Sequence, residues 1–213
     1  MTRQEQKAVR ELREAIKQNL KSAATHHGFK KISDCAYKVI DDFVYDIYPF
    51  APPIKCGTEI CVRVGVKPLV LDNIFWEVFQ MEEISKKQSF SFHVTAAFVP
   101  YSHNILEQRF AIADSKETGT VLDEIFGLMD QCVLEHHRHC NTVSDFKAEI
   151  LQKDTSISRM NVVLCEIAEG NFQEAAHLTK KAMEKDGSGI FNKIINGRTM
   201  GIYDYVLEFC EGK

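Results

Sequence analysis

The densest run of ligating and titratable side chains in the chain is Glu135-His136-His137-Arg138-His139-Cys140. On a helix His136 and Cys140 stand one turn apart, so an imidazole nitrogen and a thiolate could bind the same metal ion. Two ligands leave such a site incomplete, and the spacing is not that of an HExxH zinc helix. The alternative is a helix C-terminus, where His and Arg bond the last carbonyls and complement the macrodipole. His26-His27, at the end of the first expected helix, has that same explanation. No GxSxG stands in the chain, no Cys lies in a signature with His and Asn or Asp, and the GxGxxG and GxxxxGK phosphate loops are absent. Asp41-Asp42 and Glu82-Glu83 are adjacent carboxylates of the kind that turns leave solvated. The residues therefore support no catalytic assignment and no cofactor, and the reading leans away from an enzyme.

Binding chemistry is better represented. In Ile60-Cys61-Val62-Arg63-Val64-Gly65-Val66 the apolar residues alternate with Cys61, Arg63 and Gly65, the pattern of a half-buried strand. Phe90, Phe92, Val94, Ala96 and Phe98 alternate in the same way with Ser91, His93 and Thr95, which predicts a second strand. With the apolar faces turned to the helices, the other face shows Arg63, Ser91, His93 and Thr95. That face is either plain solvated surface or a recognition surface anchored by Arg63. Trp76, the sole tryptophan, is a core residue unless it stands exposed beside Arg63, where it would join the partner-binding face.

The elements that must position these residues follow from periodicity. Val9, Leu12, Ile16, Leu20 and Ala23/Ala24 recur at helical spacing up to Gly28, predicting a long amphipathic helix with a glycine cap. Tyr37–Ile40 and Phe43–Tyr48 flank Asp41-Asp42 as a β-hairpin. Pro49, Pro52, Pro53 and Gly57 mark a loop. Asp72 is the expected N-cap of a short helix over Asn73–Met81. Ile105–Ile112 is a further strand or an irregular return. From Thr118 onward the pattern is helical, with a stripe of Leu122, Ile125, Met129, Cys132 and Val133 and shorter helices near Val143–Leu151, Ser158–Glu169, Phe172–Lys185 and Met200–Cys210. Strands grouped together and then helices grouped together predict an α+β fold, with an N-terminal helix, a small antiparallel sheet and a helical C-terminal third. The expected domains are an α+β domain over 1–140 and a helical region over 141–213 packed on it.

Composition narrows the partner. A net charge of −4 over 213 residues, with no long Lys/Arg run, argues against nucleic acid. No apolar run reaches the length of a membrane span. The first residues lead into no apolar signal segment, and the seven cysteines are an odd number, scattered, with no CxxC. These features predict a cytoplasmic protein with reduced thiols and no membrane association.

Two resemblances add to this. The stretch from Asn161 to Asp186 resembles a single tetratricopeptide-type hairpin, with Leu164 in its first helix, Gly170 at the turn, and Phe172, Ala175 and Ala182 in its second. One repeat is too short to stand alone, so it should dock on the rest of the chain. His27-Gly28-Phe29-Lys30-Lys31, then Tyr37 to Ile47, then Ile60 to Val66, resembles the bacterial family called domain of unknown function 4304. In that family a helix ends at a Gly-Phe-Lys-Lys-like turn, and a β-hairpin and an alternating strand follow. The resemblance covers the first half of the chain and carries no catalytic residues. It implies a protein-binding role like that of immunity proteins in bacterial toxin systems. The leading expectation is accordingly a non-enzymatic bacterial cytoplasmic protein that binds another protein, such as a toxin. Metal chemistry at His136/Cys140 and an oligomeric scaffold built on the C-terminal helices are the alternatives.

Overall fold

A computed structural model describes residues 2–52, 59–81, 83, 86, 93, 94, 99–195 and 197–213. The fold is α+β: an N-terminal helix, a five-stranded antiparallel sheet and C-terminal helices. The chain forms two compact units, Met1–Val66 with Asn104–His139, and Lys67–His103 with Cys140–Lys213. This division departs from an expected break near residue 140, because Lys67–His103 joins the C-terminal helices.

The first unit opens with α1 (Arg3–His26), started by a Thr2/Glu5 capping box and burying Val9, Leu12, Ile16, Leu20, Ala23 and Ala24. Burying each of the larger side chains in this stripe contributes about 1.5–3 kcal/mol. The helix closes with Phe29 N–H donating to the Ala24 carbonyl at 2.9 Å, Gly28 taking φ +76° to let the chain turn. The sheet strands are β1 (Lys30–Ile32), β2 (Cys35–Ile40), β3 (Phe43–Phe50), β4 (Glu59–Pro68) and β5 (His103–Ala111), adjacent in that order. β2 and β3 pair antiparallel from Ala36↔Ile47 to Ile40↔Phe43, with Asp41 of the turn at φ +48°. Pro49, expected in a loop, lies inside β3. The paired stretch with β2 ends at Ile47, so its missing N–H costs no hydrogen bond on that side. A second long helix, Thr118–His139, packs on α1 and buries Leu122, Ile125, Phe126, Met129 and Val133.

The second unit contains α2 (Leu69–Val78), and Thr118–His139 of the first unit is labelled α3. The remaining helices are α4 (Val143–Ile150), α5 (Ser156–Ala168), α6 (Phe172–Asp186) and α7 (Ile202–Glu211). α2 begins at Leu69 after Pro68, so Asp72 is not its cap. The Asp72 side chain turns inward to Lys67 instead. Thr142 and Thr155 close capping boxes at α4 and α5. α5 and α6 form the helical hairpin expected from the sequence, with Gly170 at φ +77° between them and Leu164, Ala175 and Ala182 buried. A hairpin of β6 (Asn192–Ile195) and β7 (Arg198–Gly201) interrupts the expected all-helical tail. The core is aromatic, with Phe75 edge-on to Phe191 at 4.9 Å and Phe79 edge-on to Tyr205 at 5.0 Å. No helix among the described residues is long and apolar enough to cross a membrane.

Candidate functional site

The register of the β2–β3 hairpin assigns its two faces. Lys38 and Tyr45 oppose one another, and both reach α3: Lys38 pairs with Asp130, and the Tyr45 hydroxyl lies 3.1 Å from His136 Nδ1 and 3.2 Å from His137 Nδ1. That face is the one the helices cover. Alternation then sends Asp46, Tyr48 and Phe50 to the other face. Tyr48 is 40% exposed and stacks on Phe50 at 5.5 Å between ring centres, with the planes 25° apart. The Arg63 guanidinium from β4 lies 5.7 Å from the Phe50 ring centre, within cation–π reach. Arg63 Nε donates to Glu107 of β5 at 3.4 Å, and its side chain remains 50% exposed. A second cross-strand pair, Arg109 with Glu59, lies at 3.4 Å. Exposed ion pairs of this kind are worth little in stability, so Glu107 acts mainly to orient the guanidinium.

Arg63 therefore stands where the sequence placed it, but with different companions. Cys61 and Gly65, on the same side of β4, are buried, so this is not an open polar face. His93 and Val94 are helical rather than extended, and Thr95 lies outside the described residues, as does the rest of Phe90–Phe98. His93 and Trp76 both belong to the second unit. Trp76 is 1% exposed, so its ring is core and offers no partner surface. His93 is also buried, its Nδ1 2.7 Å from Asp72 Oδ2 and its ring 5.2 Å from that of Trp76. Lys67 completes this group, donating to Asp72 Oδ1 at 2.7 Å and to the Pro100 carbonyl at 2.9 Å. The geometry is that of a buried ion-paired clasp joining the end of β4 to α2.

His136 and Cys140 fall in different units, and each has partners in its own. His136 meets Tyr45 edge-on as well as through its nitrogen. In the second unit, burial first and then the Glu149 and Asp145 carboxylates push the Cys140 thiol up to about 12. The neighbouring Arg138 and His139 both turn back to Glu135, at 2.7 and 3.0 Å, as residues of a helix C-terminus do. All six described cysteine thiols are pushed up with burial as the first cause, the opposite of an activated nucleophile.

Tyr48, Phe50 and Glu107 were not singled out by the sequence. The signal available was the alternation Asp46, Tyr48, Phe50, which Pro49 obscured. No protein-family model matches the chain, and no curated protein or solved structure matches it.

Proposed function

We propose that this protein works by binding another protein rather than by catalysis, and that Arg63, Tyr48 and Phe50 are the anchor of the contact. The observation that carries this reading is the exposed Tyr48 ring stacked on the half-buried Phe50, with a guanidinium at the end of the pair. Tyr and Arg dominate binding hot spots because each covers a large area with few rotatable bonds or with a fixed donor fork. Glu107 reduces the entropy lost on binding by holding the Arg63 side chain near one geometry. The resemblance of the N-terminal half to domain of unknown function 4304 supports a bacterial toxin as the partner and the bacterial cytoplasm as the place of action. The net charge of −4 adds weak steering toward a basic partner.

The test is capture from the lysate of the protein's own host on immobilised wild-type chain, Arg63→Glu and Tyr48→Ala in parallel. A protein held by the wild type is expected to bind each variant about 30-fold or more weakly, the loss typical of a hot-spot residue. The melting temperature should be unchanged, since both side chains are exposed. Partners that bind all three equally would remove this face from the function.

A further inference from the structure

The C-terminus of α1 presents two adjacent imidazoles to α3. His26 Nδ1 lies 2.7 Å from Asp123 Oδ1, and His27 Nε2 lies 3.2 Å from the same oxygen. One ligand atom from each of the three residues falls within 4.8 Å of the other two. The rings are tilted by 51° with centres 4.8 Å apart, so His26 and His27 converge on Asp123 from two directions. Gly127, one turn beyond Asp123, makes room for this: a Cβ there would stand 3.3 Å from His27 Cε1.

We propose that His26 Nδ1, His27 Nε2 and Asp123 Oδ1 form a three-ligand site for a divalent transition-metal ion, zinc by the chemistry of its donors, with its remaining coordination open. Zinc bonds of about 2.0–2.2 Å at tetrahedral angles set donor atoms about 3.4 Å apart. Against that spacing the 3.2 Å separation is short by about 0.2 Å and the 2.7 Å separation by about 0.7 Å, and His26, with 71% of its side chain exposed, has room to make the larger adjustment. Two imidazoles with one carboxylate suit zinc and its transition-metal neighbours, whereas calcium and magnesium take oxygen ligands. The C-terminal end of α1 carries partial negative charge from its last carbonyls, which favours a cation at this position. Beside the cluster a depression of about 500 Å³, lined by Ser22, Thr120 and Glu124 among others, leaves space for water or a small ligand on the open positions.

The site is tested by calorimetric titration of the chelator-stripped full chain with zinc chloride, and by the absorption spectrum of the same protein with cobalt(II). One ion per chain is expected. His26→Ala/His27→Ala and Asp123→Ala should each weaken binding by about tenfold or more, while His136→Ala/Cys140→Ser binds as the wild type does. The cobalt complex should show d–d bands without a thiolate charge-transfer band. Equal zinc binding by the double histidine variant, or no saturable binding up to about a hundred micromolar zinc, a range weaker than natural sites hold, overturns the proposal. So does a thiolate band, which would put the metal on a cysteine and which is read on wild-type protein even if a variant fails to fold.

Discussion

Asp72 has no exposed surface, and its two carboxylate oxygens are divided between the Lys67 ammonium and the His93 imidazole. Burial of this kind makes a charge dependent on its partners, which stand in for the water it has lost. Asp72→Ala is therefore expected to cost about 3–5 kcal/mol, chiefly by leaving Lys67 buried and uncompensated. Urea denaturation measures this, and a loss under about 1 kcal/mol would show that the clasp relaxes to solvent. The same residues show the limit of residue-scale reading. Asp72 was expected as a helix cap and His93 as surface, since a carboxylate or an imidazole in a sequence does not declare its depth. Arg63 was legible for the opposite reason: a charge alone in an alternating apolar strand must point to water or cost several kcal/mol.

The α5–α6 hairpin is the element whose sequence and structure agree most closely. Gly170 supplies the positive φ of the turn, and Asn171 N–H reaches back to the Glu166 carbonyl at 2.8 Å. Its far end is closed by Arg159, whose guanidinium donates to both oxygens of Asp186 at 2.8 and 2.5 Å, with Ser156 and Tyr203 also donating to that carboxylate. The Arg159 hydrogen bonds hold the Asp186 carboxyl below the usual aspartate range. A depressed folded-state pKa adds stability that is fully present above the unfolded value of about 3.9 and is lost as pH falls through the lower folded value. Asp186→Asn should therefore be less stable than the wild type at pH 7, with the gap closing below about pH 4. Stability curves that stay parallel across that range would refute the coupling. The β6–β7 hairpin, by contrast, was missed although its signal was present. Asn196-Gly197 between Ile194-Ile195 and Thr199 is a strong short-range turn signal, and Gly197 takes φ +78°. Helical periodicity flanks it on both sides, over Phe172–Lys185 and Met200–Cys210.

At the scale of the whole molecule, the path of the chain matters more than the order of its elements. α2 finds its packing partners in α5 and α7, and Phe75 and Phe79 meet Phe191 and Tyr205 from more than a hundred residues away. A fragment ending at residue 140 would keep the first unit intact in sequence but strip α2 of these contacts. It is expected to expose that aromatic surface and to aggregate, with binding of a hydrophobic dye as the measure. A soluble fragment with the melting behaviour of the full chain would show that Lys67–His103 does not need the C-terminal helices.

Periodicity by itself determined the α+β class, the long first helix, the β2–β3 hairpin, the β4 strand and the α5–α6 pair. In each of these a local repeat of apolar residues, or a glycine or acidic turn, specifies the backbone without reference to distant residues. Only the tertiary structure decided which unit α2 joins, that Trp76 and His93 are interior, that Arg63 lies against the Phe50 ring on which Tyr48 stacks, and that His26 and His27 meet Asp123. Each of these depends on residues from well-separated parts of the chain. Their proximity is set by loop closure and packing, which one-dimensional spacing does not encode.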